Sequence, residues 1–110
     1  MNSDFLSLIE ESKALNSSVF SLIRLQLLAS IASVGQDGVM YRELKAALNV
    51  TDGALYTNLE ALKENGYIKS NTIELEGKKL EAYQITYEGA LAWGHTKNWL
   101  RKLVDCGVKK

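Results

Sequence analysis

The sequence predicts an α+β fold, mainly α with one small β-hairpin, in a single domain spanning residues 1–110. Three observations predict it. Apolar residues recur at three- and four-residue steps through residues 4–65, the period of helices that pack by one face. Between residues 67 and 85 the period drops to two, that of a half-buried strand pair. After Thr86 the helical period returns and runs to residue 105.

The first predicted helix covers 4–15, with Phe5, Leu8, Ile9 and Leu15 on one side and Glu10, Glu11 and Lys13 on the other. Asn16-Ser17-Ser18 interrupts it and supplies side-chain oxygens that cap the next helix. That helix covers 18–34 and is apolar on more than one side, through Val19, Leu22, Ile23, Leu27, Ile31 and Val34 together with Leu25 and Leu28. Gly35 ends it, and residues 35–38 form a turn. Val39-Met40 is extended and leads into a short helix to residue 48, with Leu44, Ala47 and Leu48 inward. Asn49-Val50 turns the chain. Thr51 caps a helix over 52–65 with Leu55, Leu59 and Leu62 inward, and Gly66 stops it. Strands follow at 67–73 and 80–85, joined by a turn over 74–79 at Gly77. Thr86 caps the last helix, 87–105, which has Glu88 in its first turn, where a carboxylate suits the helix dipole.

Composition narrows the function. A 46% hydrophobic and 24% charged chain is globular rather than disordered. No apolar run reaches the roughly 18 residues of a membrane span. The opening Met1-Asn2-Ser3-Asp4 lacks the basic start of a signal peptide, and one cysteine, Cys106, forms no intrachain disulfide. These features lead us to expect a cytoplasmic protein. A single histidine, His95, and that single cysteine do not build a multi-ligand metal site, so no metal and no cofactor is expected. No nucleophile–base constellation and no phosphate-binding glycine loop is present, so no catalytic residue is assigned and the chain is not read as an enzyme. Net charge is zero, distributed as −2 over residues 1–40, −1 over 41–86 and +3 over 87–110.

The helices 41–48 and 52–65, joined by a tight turn, meet the mechanical requirement of a helix-turn-helix. Leu44, Ala47 and Leu48 pack on Leu55, Leu59 and Leu62, and each fully buried Leu contributes roughly 1.5–3 kcal/mol to holding the angle. The helical wheel then turns Gly53, Tyr56, Thr57 and Glu60 outward, with Thr51 and Asp52 at the N-terminal end. Gly53 permits close approach of another surface, and the helix N-terminus offers free N–H groups to a phosphate. Tyr56, Thr57 and Asn58 carry groups suited to base edges. Other readings stand beside these. Tyr56 also suits half-buried packing, Asp52 suits the helix dipole, and Lys78 and Lys79 suit a solvated turn.

The runs YRELKAALNVTDGALYTNLEALKENGYI (41–68) and EGKKLEAYQITYEG (76–89) resemble the winged helix-turn-helix transcriptional regulators of the MarR/ArsR broad group, in their small archaeal and bacterial form. The resemblance spans residues 19–105, with a core at 19–86. It implies a sequence-specific regulator that binds double-stranded DNA as a homodimer. It assigns Thr51, Asp52, Gly53, Tyr56, Thr57 and Asn58 to the major groove. Lys78 and Lys79 fall on the wing tip at the minor groove or flanking phosphates, and Tyr41 and Arg42 on the backbone at the start of the bracing helix.

The two outer helices carry more apolar surface than a minimal domain needs. Phe5, Leu8, Ile9, Trp93, Thr96, Trp99, Leu100 and Leu103 are therefore the expected homodimer interface, since a twofold dimer closes on itself. Lys97, Arg101, Lys102, Lys109 and Lys110 are placed to neutralise an acidic neighbouring subunit. The neutral net charge and the wing glutamates Glu74, Glu76 and Glu81 leave a second function open, a winged-helix module that binds a protein.

Overall fold

The computed structural model describes residues 3–106. Met1 and Asn2 at the start, and the tail lysines Lys109 and Lys110, lie outside the described residues. Among these residues there are five α-helices and a small sheet. The helices are α1 (Ser3–Ser12), α2 (Leu22–Val34), α3 (Tyr41–Leu48), α4 (Asp52–Glu64) and α5 (Tyr87–Cys106). The strands are β1 (Val39–Met40), β2 (Ile68–Leu75) and β3 (Lys78–Ile85), in the antiparallel order β1-β3-β2. The sheet packs on α2, α3 and α4 at one end. The fold is thus mainly α with a small β wing and a long C-terminal helix.

One core runs through all the layers. Leu27, Leu28 and Ile31 of α2, Leu55, Leu59 and Leu62 of α4, and Leu44 of α3 pack with Ile68, Tyr83 and Ile85 of the sheet. The strand pair supplies its core face by alternation, with Ile68 opposite Ile85 and Ser70 opposite Tyr83. Burial pushes the Tyr83 phenol up to about 12, with the Glu81 and Glu60 carboxylates adding to the shift.

The extended Val39-Met40 becomes a third strand against Tyr83 and Ala82. The wing strands run longer than their sequence pattern implied. Glu76 and Gly77, with φ of 53° and 79°, make a two-residue turn whose left-handed backbone matches the strand twist. Lys78 and Lys79 therefore belong to β3 rather than to a broad loop.

Several expectations from periodicity need correction. Residues 18–34 are not one helix. Asn16 caps a short 3-10 turn at Ser17–Val19, and Ser21 then caps α2 through Arg24 N–H. The break changes the helical phase, so Val19 stays buried while Leu22 is 73% exposed. Ala47 is exposed, because α3 meets the core through Leu44 and the half-buried Tyr41 and Leu48. α1 ends at Ser12, and its last turn tightens into i→i−3 bonds through Leu15.

α1 docks on α5 within the same chain. Leu8 is buried, its carbonyl accepts from Trp99 Nε1 at 2.9 Å, and Lys102 pairs with Glu11 at 3.1 Å. Leu8 and Thr96, expected on an intersubunit face, are instead internal, because the two outer helices cover each other first. Trp93 packs on the core, and Trp99 is half-buried with its ring 6.0 Å from that of Phe20.

Candidate nucleic-acid interface

α3 and α4 form the helix-turn-helix. Asn49, left-handed at φ 54°, ends α3, and its N–H bonds to the Lys45 carbonyl. Asn tolerates this conformation better than most residues. Thr51 opens α4, its hydroxyl accepting from Ala54 N–H at 3.1 Å. At the far end Gly66, with φ 79°, closes α4. The Gly66 N–H bonds to the Lys63 carbonyl and the Tyr67 N–H to the Leu62 carbonyl, the paired bonds of a Schellman stop. Both ends of the exposed helix are therefore fixed by its own sequence.

The face that α4 turns to solvent carries Thr51, Asp52, Gly53, Tyr56 and Thr57. Tyr56 is 56% exposed, so it is not a packing residue. Arg42 is also exposed, at the start of α3. Lys78 and Lys79 are exposed on the wing but alternate in direction, Lys78 opposite Leu75 and Lys79 opposite Glu74. A single surface cannot meet both along the same strand face.

Two residues expected at DNA are engaged inside the chain. The Tyr41 hydroxyl donates its one proton to Asp52 at 2.9 Å, so it has none for a phosphate. Burial, then the bond to Asp52, raises the Tyr41 phenol above its usual value. Asn58 is half-buried. Its Oδ1 accepts from Arg24 Nε at 2.9 Å and its Nδ2 donates to the Ala54 carbonyl at 2.7 Å. Tyr41 and Asn58 therefore orient α4 rather than face outward from it. Arg24, also bonded to the Ser18 carbonyl, was missed from sequence. The signal was available, since it is the one charge within the apolar run LIRLQLL.

The acids beside this face are engaged too. Lys45 lies 3.8 Å from Asp52, and Lys63 lies 3.3 Å from Glu60. Glu43 accepts from Met40 N–H at 2.8 Å at the start of α3. These exposed and half-exposed pairs contribute little to stability, but they offset acids that would repel a polyanion.

Gly53 has no internal reason to be glycine. Its backbone is helical and a Cβ would meet nothing within 4 Å. Gly53→Ala is therefore expected to stabilise the fold by about 0.5–1 kcal/mol, through helix propensity, read from denaturant unfolding. No loss of stability is expected, because no neighbour is displaced.

Among the described residues, no three His, Cys, Asp or Glu side chains come together as a metal site, and no helix is long and apolar enough to cross a membrane.

Comparison with known proteins agrees with this geometry. The profile of the winged helix DNA-binding domain family matches residues 23–104. An uncharacterized protein of Methanocaldococcus jannaschii is 29% identical over 85 residues, covering 77% of this chain and 87% of that protein. Among solved structures, a transcriptional regulator homologue from Pyrococcus horikoshii OT3 aligns with a TM-score of 0.75 at 14% identity, over 94% of this chain and 96% of that one. MepR of S. aureus, solved as a DNA complex, aligns with a TM-score of 0.71 at 11% identity, over 94% and 82% of the two chains.

Proposed function

The chain belongs to the winged helix DNA-binding domain family, and on that premise we propose that it is a sequence-specific regulator that binds double-stranded DNA as a homodimer. The observation that carries this reading is the α4 face. Its exposed groups are Thr51, Gly53, Tyr56 and Thr57, while the flanking acids Asp52, Glu60 and Glu43 have partners within the chain. An exposed glycine with no internal role fits a helix that another surface approaches closely. α4 enters the major groove by this reading. Arg42 meets the backbone, and Lys78 or Lys79 meets flanking phosphates.

The second copy is proposed to cover the apolar groups that α1 and α5 leave outside. Phe5, Leu6 and Ile9 are 43%, 52% and 42% exposed, and Leu103 and Val104 are 38% and 68%. Leu100 is half-buried beside them. Two such chains, related by a twofold axis, bring their recognition helices to two half-sites about 34 Å apart.

Fluorescence anisotropy with labelled mixed-sequence duplex at several salt concentrations tests the DNA reading. Binding is expected to weaken with salt at about 0.9 log units per neutralised phosphate for each log unit of salt. The Lys78→Ala, Lys79→Ala double variant is expected to weaken binding and to reduce that slope by about one contact. An unchanged slope removes the wing from the contact set.

The wing favours one rival reading. Ile73 and Leu75 are 39% and 43% exposed and share a strand face with Leu80, an apolar stripe suited to a protein partner. Absence of duplex binding at micromolar protein and low salt selects that reading.

A further inference from the structure

We infer that Asn16 is a positioning residue that holds the recognition helix and the root of the wing in one arrangement competent for DNA; this deepens the proposed function and rests on it. Asn16 Nδ2 donates to Asn65 Oδ1 and to the Tyr67 hydroxyl, each at 2.9 Å. Its Oδ1 accepts from Ser18 N–H at 2.9 Å. The network fixes which way the amide points. Ser18 N–H requires an acceptor, and Asn65 Oδ1 is free to accept because the Asn65 amide donates to the Ala61 carbonyl.

The partners of Asn16 carry the argument. Asn65 is the C-cap of α4, and Tyr67 immediately precedes β2. One side chain from the N-terminal segment thus ties the end of the recognition helix to the start of the wing. The same segment is fastened at Leu8 to Trp99 of α5, on the side proposed to meet a second copy. Between these fastenings the packing is open. A cavity of about 120 Å³ lies beside Asn16, bordered by Tyr67, His95 and the buried Thr96. Val19 anchors the far end of the segment in the core, and the two amide bonds of the exposed Asn16 then set how the stretch before it lies against the end of α4 and the start of β2.

Asn16→Asp separates this role from local capping. The carboxylate still accepts from Ser18 N–H, and the Tyr67 hydroxyl can turn to donate to it, but the donation to Asn65 Oδ1 is lost when it is ionised. Ser17→Asp adds the same charge at the neighbouring exposed position without removing a donor. On mixed-sequence duplex, Asn16→Asp is expected to lose about tenfold in affinity while its thermal midpoint stays within about 3 °C, and Ser17→Asp to lose less than about threefold. Hydrogen exchange at the Gly66, Tyr67 and Ile68 amides is expected to quicken in Asn16→Asp, with the α2 amides unchanged. Equal losses in the two aspartate variants, or unchanged exchange at those amides, each overturn the positioning role alone. Failure of the unsubstituted chain to bind duplex overturns the DNA reading and this role with it.

Discussion

Leu59→Ala is expected to lower the free energy of unfolding by about 2–5 kcal/mol, seen as a lower urea midpoint with an unchanged slope. Leu59 has no exposed surface and sits at the middle of α4, between the equally buried Leu55 and Leu62. The helix rests on α2 through this row, within a cluster that also holds Leu27, Leu28 and Ile31. Truncation removes apolar contact and leaves a hole that neighbours on two rigid helices fill only in part. Domains of this size have about 5–15 kcal/mol in all, so one such hole takes a large share. Leu59→Met, close in volume, is expected to lose less than about 1.5 kcal/mol. Equal losses for Ala and Met would mean that shape rather than volume governs this position.

Gly89→Ala is expected to destabilise by about 3 kcal/mol or more, against the helix propensity that favours alanine by about 1 kcal/mol. A Cβ at position 89 would collide with the Tyr67 carbonyl oxygen and lie 2.9 Å from Ile85 Cδ1. The Tyr67 carbonyl has no freedom to retreat, because it accepts from Thr86 N–H at 3.1 Å. Thr86 in turn donates to the Gly66 carbonyl and accepts from Gly89 N–H, which fixes the start of α5 against the end of α4. Gly94 of the same helix is the control, since a Cβ there meets nothing within 4 Å. Gly94→Ala is expected to stabilise by about 0.5–1 kcal/mol. Opposite signs for the two substitutions in chemical unfolding check the close approach. Two gains would show that α5 does not touch the wing root.

The parts of this fold that were legible in sequence are those whose cause is local. Thr51 as a cap, Gly66 as a stop and the change from helical to alternating period located α4 and the wing to within a few residues. Val39-Met40 was read as extended, but its partner, β3, lies more than forty positions away and no local pattern names it. Leu22 was misread for a related reason. A 3-10 turn shifts the helical phase by less than one turn, and apolar spacing alone does not register it. The largest loss was at the site. Tyr41 and Asn58 have the chemistry of DNA-contacting residues, and only the bonds to Asp52 and Arg24 reveal that their polar groups are already engaged. The positions of Leu8 and Thr96 on their helix faces were correct about burial and silent about which surface did the burying.

The outer part of the wing is open on both sides. β1 covers β3 only at Ala82 and Tyr83, and β2 is an edge strand along its whole length. Unpaired backbone beside Ile73, Leu75 and Leu80 is a template on which another extended chain can align. Glu74, Glu76, Lys78, Lys79 and Glu81 crowd this same hairpin, and charges of this kind act as gatekeepers against strand-to-strand aggregation. Removing Glu74, Glu76 and Glu81 to make the wing more basic is therefore expected to expose this edge to strand-to-strand pairing and to raise the tendency to aggregate.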